Sequence, residues 1–195
     1  MTGVQTCALP IWVLIVLNDE INGARDGTKT NTYRVETFQA PELGLLGYID
    51  ADKVTFYRAP TRRHTTRSEF DVSNVQALPR VDILYCYIEP NPALIGAVVS
   101  SGAKGIVFAG TGAGFLSTVE RDALAPVLAL PPDRRPVIVR SNRTGNGRVV
   151  PRSEYDQMGL VPGDTLNPQK ARILLMLALT RTHDLAEIRR MFDEY

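Results

Sequence analysis

A regular alternation of strand-like and helix-like segments between residues 81 and 195 most constrains the fold. Short apolar runs predict strands, and longer segments with apolar residues at helical spacing predict helices. We predict strands at 81–87, 105–109 and 136–140, and helices at 92–101, 116–130, 168–181 and 185–195. Strands that alternate with helices are joined by right-handed crossovers into a parallel sheet. This part of the chain therefore predicts a doubly wound α/β domain with a Rossmann-like parallel sheet.

Proline, glycine and asparagine mark the ends of several of these helices. Asn167 can cap the helix that starts at Pro168, because proline fits the first turn. Gly102 marks the end of the helix that precedes it, and Pro126 predicts a break in the helix at 116–130. His183 lies near the end of a predicted helix, where a cation suits the helix dipole.

Upstream of residue 81 the pattern is different. Residues 12–17 form a continuous apolar run that predicts a strand buried on both faces, as in a parallel sheet. A hairpin is predicted around Asp50-Ala51-Asp52, and residues 59–80 have the proline and charge content of a linker. We therefore divide the chain into the remnant of a preceding α/β domain at 12–58, an interdomain linker at 59–80 and a C-terminal domain at 81–195.

The first eleven residues, MTGVQTCALPI, lack charge, helical periodicity and the features of a signal peptide. They resemble the in-frame translation of a common sequencing-library adaptor read from a GTG start. An ordinary N-terminal tail is the alternative. On the adaptor interpretation residues 1–11 are an artefact, and the chain is a C-terminal fragment of a longer protein.

Composition excludes several classes of protein. The chain has 22 Lys and Arg against 21 Asp and Glu, so no excess of positive charge favours a nucleic acid or an anionic membrane as partner. No apolar run approaches the roughly 18 residues of a transmembrane helix. The two cysteines, Cys7 and Cys86, are too few for a disulfide framework and lack the spacing of a zinc site. We expect no metal site.

Lys29 is the first candidate for a chemical role. It lies in the segment Asp26-Gly27-Thr28-Lys29-Thr30-Asn31, which follows a predicted buried strand, and open α/β sheets bind ligands at the carboxyl ends of strands. A lysine there can bind an anion, or act as a base if burial lowers its pKa. Spacing alone favours the simpler interpretation of a solvated Lys29 paired with Asp26.

A glycine-rich turn, Gly110-Thr111-Gly112-Ala113-Gly114, joins a predicted strand to a predicted helix. It matches a dinucleotide fingerprint only in part, so a tight strand-to-helix turn is favoured over nucleotide binding. Cys86 is expected to be a small buried apolar side chain. The remaining candidates are expected to be solvated, interdomain or loop residues: His64, Arg62, Arg63, Arg67, and the loop 140–145, which could line a cleft or an interface.

Several ordered motifs resemble the bacterial type II L-asparaginases, from about residue 12 to residue 195. Val16-Leu17-Asn18-Asp19-Glu20-Ile21 and Thr28-Lys29-Thr30-Asn31 resemble the second half of that family's N-terminal domain. The match continues through the following segments: Leu46-Gly47-Tyr48-Ile49, Phe70-Asp71-Val72-Ser73, Gly105-Ile106-Val107, Val139-Arg140-Ser141 and Thr165-Leu166-Asn167-Pro168-Gln169-Lys170.

The resemblance implies a hydrolase of linear amides that converts asparagine, and more slowly glutamine, into the acid and ammonia without a cofactor. A threonine hydroxyl forms an acyl-enzyme, and a second threonine, an aspartate and a lysine transfer protons. The family's lysine falls on Lys29, which the resemblance therefore makes a catalytic residue. The nucleophile and the Thr-Asp pair belong upstream of Trp12, so this chain by itself is expected to be inactive.

The family is also tetrameric and completes each site with an asparagine and a glutamate from a neighbouring subunit. Counted from the shared C-terminus, the asparagine position falls on Phe115, and the glutamate position falls on Arg152 or, with a small shift, Glu154. Phe115 departs from the family pattern, which leaves the preference between asparagine and glutamine open. A periplasmic or secreted location and a cytoplasmic one are both compatible with the sequence.

Two other functions remain as alternatives. The chain could be a non-catalytic α/β module for binding or subunit interaction. It could also be part of an archaeal-type relative that supplies ammonia for transamidation of glutamyl-tRNA.

Overall fold

The computed structural model describes residues 12–195, so the predictions made for residues 1–11 lie outside the described part. Two compact units make up the chain, the first ending at Glu69 and the second running from Phe70 to Tyr195. The longest helix among the described residues has 12 residues. No helix in residues 12–195 has both the length and the hydropathy to cross a membrane.

The first unit is built from short antiparallel strands. They are β1 (Leu14–Leu17), β2 (Glu20–Gly23), β3 (Thr28–Lys29), β4 (Phe38–Gln39), β5 (Gly47–Asp50) and β6 (Lys53–Phe56). A four-stranded sheet has the order β1-β2-β5-β6, and β3 pairs with β4 separately. A small core of Leu14, Ile21 and Leu46 is buried in this unit. A single turn of 3-10 helix, Thr65–Arg67, lies near its end.

Two hairpins organise that sheet, and the sequence predicted one of them. Residues Ala51 and Asp52 have φ values of 46° and 69° and join β5 to β6, as expected. Asn18 and Asp19 also have positive φ, 55° and 61°, and reverse the chain between β1 and β2. Two consecutive left-handed residues are typical of a type I′ hairpin turn. The prediction of a strand in a parallel arrangement at 12–17 was wrong for the described residues, because this turn pairs β1 antiparallel with β2.

The second unit alternates strands with helices. Its elements are β7 (Val81–Tyr85), α1 (Ala93–Ser100), β8 (Gly105–Gly110), α2 (Thr118–Leu128), β9 (Val137–Asn142), α3 (Ser153–Gln157), β10 (Val161–Pro162), α4 (Pro168–Leu179) and α5 (Leu185–Glu194). The strands form a parallel sheet in the order β10-β9-β8-β7. The predicted α/β class with a parallel sheet is confirmed.

Helices cover both faces of the parallel sheet. Val107 of β8 faces a core with Leu175 of α4 and Phe192 of α5. Its neighbours Ile106 and Phe108 belong to a second core with helices α1 and α2. This alternation follows from the pleat of a strand, in which successive side chains point to opposite faces. Every residue of β8 is buried, as expected for a central parallel strand.

The four predicted helices begin and end within two residues of their predicted bounds. Asn167 caps α4 by accepting a hydrogen bond of 3.0 Å from the Lys170 amide, as predicted. The predicted break at Pro126 was wrong, because α2 continues to Leu128. Proline removes one amide donor near the end of this helix, and burial of Leu124 and Val127 against the sheet holds the last turn in place.

Three smaller features of the second unit were not predicted. Helix α3 and strand β10 have five and two residues, too few to show a period in the sequence. The helix predicted to run to residue 181 ends at Leu179, so His183 lies in the connection between α4 and α5 rather than at a helix end.

We expect Leu175→Ala to destabilise the second unit by about 2–5 kcal/mol, because Leu175 is fully buried and alanine would leave a cavity. Ile173→Ala is the matched control on α4, since Ile173 is 49% exposed. Its effect should be about 0.5 kcal/mol or less. Urea unfolding followed by circular dichroism measures both, and equal losses in the two variants would contradict the packing described for α4.

Candidate functional site

The glycine-rich segment after β8 is a closed turn. The Thr111 amide donates to the Phe115 carbonyl at 3.0 Å, and the Phe115 amide donates to the Thr111 carbonyl at 2.8 Å. Gly114 has a φ of 79°, and a Cβ there would lie 2.7 Å from Val149 Cγ1. Two of the amides that a phosphate-binding loop would offer are thus used within the turn. The favoured interpretation, a tight strand-to-helix turn, agrees with this geometry.

Phe115, Arg152 and Glu154 lie together on the segments that follow β8 and β9. The Arg152 guanidinium carbon lies 4.8 Å from the centroid of the Phe115 ring, which is a cation–π contact. Glu154 pairs with Arg152 at 3.7 Å and with Arg121 of α2 at 3.6 Å. Loops at the carboxyl ends of adjacent parallel strands meet at one edge of the sheet, which is where α/β sheets bind ligands.

This group, Phe115, Arg121, Arg152 and Glu154, is hereafter the edge cluster. It carries two guanidinium groups and one carboxylate, so its formal charge is positive. The charged side chains are 37–48% exposed, and their ion pairs therefore contribute little to stability. Phe115 is half-buried. The cluster offers an aromatic face, cations and an anion to whatever approaches this edge.

Beneath the edge cluster lies Arg140, where the predicted strand at 136–140 and the predicted loop at 140–145 meet. Strand β9 extends further than predicted, because Ser141 and Asn142, which were expected in the loop, belong to it and are buried. The Ser141 hydroxyl donates to the Leu166 carbonyl at 2.7 Å, and the Asn142 carboxamide oxygen accepts from the Thr144 hydroxyl at 2.6 Å. These two polar side chains are occupied within the fold, and the exposed loop begins at Arg143.

Lys29 lies in β3 of the first unit, and its side chain is exposed. The expected pairing with Asp26 was wrong, because Asp26 pairs with Arg25 at 3.0 Å. Among residues 12–195, Lys29 has no ion-pair partner. The backbone around it is ordered, since Lys29 is in register with Phe38 and the Thr30 amide donates to the Thr37 carbonyl at 2.7 Å.

The segment that carries Lys29 does not directly follow a buried parallel strand. It follows β2, the second strand of a hairpin, and the amides of Asp26 and Gly27 both donate to the Gly23 carbonyl. The sequence argument from the carboxyl end of a parallel strand therefore does not apply to it within the described residues.

Cys86 and His64 are both held within the fold. Cys86 is 1% exposed and packs in the core shared by α1 and α2, as expected, and burial raises the pKa of its thiol. His64 accepts a hydrogen bond of 2.9 Å from the Trp12 indole, and partial burial, then the charge of Arg67, lowers its pKa. Arg63 pairs with Glu69 at 2.9 Å.

In residues 12–195, no three His, Cys, Asp or Glu side chains are grouped closely enough to bind a metal ion.

Tyr155 is the main residue near the edge cluster that sequence reasoning missed. Its ring lies 4.0 Å from the Arg140 guanidinium carbon, and its hydroxyl accepts from the Leu116 amide at 3.1 Å. No sequence signal could have found it, because its short helix shows no period.

Comparison with known proteins decides the family. Residues 80–192 match the glutaminase/asparaginase C-terminal domain, which is more than half of the chain. The chain belongs to the glutaminase/asparaginase family. Residues 10–62 match the N-terminal asparaginase domain. The family assignment inferred from the ordered motifs is therefore confirmed.

Individual asparaginases show the same extent of similarity. The chain is 48% identical over 183 residues to L-asparaginase 2 of Bacillus subtilis and 42% identical over 185 residues to L-asparaginase 2 of Escherichia coli. These matches cover 93% and 94% of this chain but 47% and 52% of the relatives. A glutaminase-asparaginase of Pseudomonas fluorescens is 39% identical over 186 residues, covering 94% of this chain and 50% of the relative. The chain thus spans about half the length of the curated relatives it matches.

A solved structure agrees with the fold. The crystal structure of a probable cytoplasmic L-asparaginase from Campylobacter jejuni superposes with a TM-score of 0.88 at 39% identity. The match covers 93% of this chain and 58% of that protein.

We expect Phe115 and Arg152 of this asparaginase-family chain to be energetically coupled by about 0.5–1 kcal/mol, because the guanidinium lies over the ring. A double-mutant cycle of Phe115→Leu and Arg152→Met, read out by urea unfolding, measures the coupling. The control cycle pairs Phe115→Leu with Arg121→Met, since Arg121 shares the Glu154 carboxylate. Equal coupling energies in the two cycles would contradict the cation–π contact.

We expect the Cys86 thiol to resist alkylation at mildly alkaline pH, because it is buried and its pKa lies above the usual range. A Cys7→Ser variant isolates this thiol, and iodoacetamide labelling with and without denaturing urea measures its access. Labelling of the folded chain at the rate of the unfolded chain would show that this core is open.

Proposed function

We propose that the complete protein hydrolyses the side-chain amide of L-asparagine to give aspartate and ammonia, with L-glutamine as a slower substrate. The observation that carries the proposal is similarity over more than nine-tenths of the chain to proteins named L-asparaginase 2 and glutaminase-asparaginase. Their names include both substrates, which is why glutamine is retained.

The proposed reaction uses a threonine nucleophile. Its hydroxyl attacks the side-chain carbonyl carbon, the C–N bond breaks and ammonia leaves, and water then hydrolyses the acyl-enzyme to release aspartate and restore the hydroxyl. A hydroxyl is a weak nucleophile near neutral pH, so a neighbouring group must accept its proton. By the proposal this threonine and the Thr-Asp pair come from the half of the family's sequence that this chain does not span.

Lys29 is proposed as the lysine of the proton-transfer group. Its exposed side chain and the absence of an ion-pair partner among residues 12–195 support this role, because its amine is not committed to a local contact. The pairing of β3 with β4 fixes the backbone that carries it. A backbone held by strand pairing is a suitable support for a catalytic group, whose position must be held closely.

Phe115, together with Arg152 or, with a small shift, Glu154, is proposed to line the substrate site of a neighbouring subunit in a homotetramer. Their gathering into one exposed cluster supports a common role. Charged side chains there can make charge-assisted hydrogen bonds to an amino-acid substrate, a guanidinium to its carboxylate and a carboxylate to its ammonium. The aromatic ring at position 115 replaces an amide in the family pattern, so it offers packing rather than hydrogen bonds.

We also propose the domain boundaries that the sequence patterns predict. Residues 12–58 are the remnant of the catalytic N-terminal domain, residues 59–80 are the interdomain linker, and residues 81–195 are the C-terminal domain. No feature of the described residues favours the non-catalytic module over the amidohydrolase.

Ammonia release by the complete enzyme, obtained by extending the reading frame upstream of Trp12 in the source DNA, tests this proposal. We expect turnover of asparagine and slower turnover of glutamine. Lys29→Met should lower kcat by about 10²–10⁴, the usual contribution of a positioned proton-transfer group. Lys53→Met is the matched control, because Lys53 is an exposed lysine on β6 of the same unit, and it should leave kcat unchanged.

The outcomes separate the parts of the proposal. No ammonia above background from the complete enzyme would overturn the amidohydrolase function. Equal activity of Lys29→Met and Lys53→Met would remove Lys29 from the reaction. The 195-residue chain alone should release no ammonia, and robust release from it would show that the nucleophile lies within residues 1–195.

A further inference from the structure

Arg140 is a buried cation whose partners are backbone carbonyls. It is 0% exposed at the carboxyl end of β9. One terminal nitrogen donates to the Gly114 carbonyl at 3.3 Å, and the other donates to the Val150 carbonyl at 2.8 Å. Among the described residues it has no carboxylate within ion-pair distance, and its Nε has no hydrogen-bond partner.

Packing alone does not explain an arginine at this place. Burial of a cation costs free energy, and an apolar side chain of similar volume often serves a core equally well or better. Burial lowers the pKa of Arg140, and its interactions with Tyr155 and Asp156 oppose that effect. The ring of Tyr155 at 4.0 Å supplies part of the compensation. What an apolar residue could not supply is two N–H donors directed to two different loops.

The two loops are those that carry the edge cluster. Gly114 directly precedes Phe115, and Val150 lies two residues before Arg152. The loops also touch one another, because a Cβ on Gly114 would lie 2.7 Å from Val149 Cγ1. Both sequence neighbours of Phe115 are therefore held in place. The Gly114 carbonyl accepts a hydrogen bond from Arg140, and the Leu116 amide donates one to the Tyr155 hydroxyl.

We propose that Arg140 is a positioning residue that ties the loop ending at Phe115 to the segment leading to Arg152, and so sets the geometry of the edge cluster. The guanidinium suits this task because its planar fork directs donors to two acceptors at once. A lysine could reach one carbonyl at a time but could not span both in a fixed geometry. Only the catalytic consequence rests on the proposed function; the tie itself does not.

Amide hydrogen exchange on the full 195-residue chain tests the tie without any need for activity. In Arg140→Met we expect the hydrogen-bonded amides of Phe115, Leu116, Tyr155 and Asp156 to exchange about tenfold faster or more, since hydrogen bonds to a charged group are lost. The amides of β8 should keep their protection. Arg172→Met is the matched control, because Arg172 donates to the Val81 carbonyl at 2.6 Å, away from the edge cluster.

Arg140→Lys provides a second test of the tie, which applies even if the methionine variant does not fold. We expect lysine to protect one of the two loops and not the other, because it can hold a single carbonyl. Wild-type exchange of both loops in either folded variant would overturn the proposal. Equal acceleration of both loops in Arg172→Met would also overturn it, since the effect would then reflect a general loss of stability.

Kinetics of the complete enzyme test the consequence for the site separately. If the edge cluster lines a substrate site, Arg140→Lys should raise KM several-fold with a smaller change in kcat. If the loops of the variant exchange faster but its KM is unchanged, the structural role of Arg140 is supported. The edge cluster then takes no part in substrate binding. An inactive wild-type enzyme would refute the proposed function and leave the exchange result to decide the tie.

Discussion

Burial of β8 on both faces is the constraint on which the second unit depends. Its side chains alternate between the two cores, and helices cover both faces. A change in the packing of either core therefore also affects β8. Gly105 shows how close the packing is, because a Cβ there would lie 2.6 Å from Leu175 Cδ2. Helix α4 can rest on the sheet only where this side chain is absent. The strand therefore fixes where its carboxyl end, and the turn that follows it, must lie.

The edge cluster depends on this rigid base through backbone contacts rather than through its own side chains. Its ion pairs are half-exposed and contribute little, whereas Arg140 and Tyr155 are buried and bond directly to the loops that carry it. Because buried residues hold the loops, the exposed residues of such a surface site can vary while the loops keep their positions. Phe115, which we propose to occupy the family's asparagine position, lies in such a loop.

Sequence patterns predicted the elements of the second unit well and those of the first unit less well. The helix at Pro168 was readable because its cap, its first-turn proline and its apolar stripe all agree. The turn at Asn18 and Asp19 was missed because type I′ turns are recognised mainly by glycine, and neither residue is one. Pro126 was overinterpreted, since tertiary burial of α2 outweighed a local preference.

The residues of the candidate site divide in the same way. Lys29 was assigned through an ordered motif and Phe115, Arg152 and Glu154 by counting from the family's C-terminus, and the structure brings the last three together. Arg140 was predicted only as the residue where a strand passes into a loop, and Tyr155 was not predicted as a site residue, although both determine where the edge cluster lies. Arg140 binds the backbone carbonyls of Gly114 and Val150. Because every residue has a backbone carbonyl, the residue types at these positions could not have identified them as its partners.

By itself, the sequence determined the α/β class, the parallel arrangement of residues 81–195 and the asparaginase family, because hydrophobic periods and ordered motifs are properties of local stretches. Only the tertiary structure decided that β1 turns back on β2 and that Asp26 binds Arg25 rather than Lys29. It also decided that one buried guanidinium joins two loops. Such contacts depend on backbone direction and on distances between segments far apart in the chain, and local patterns do not encode either.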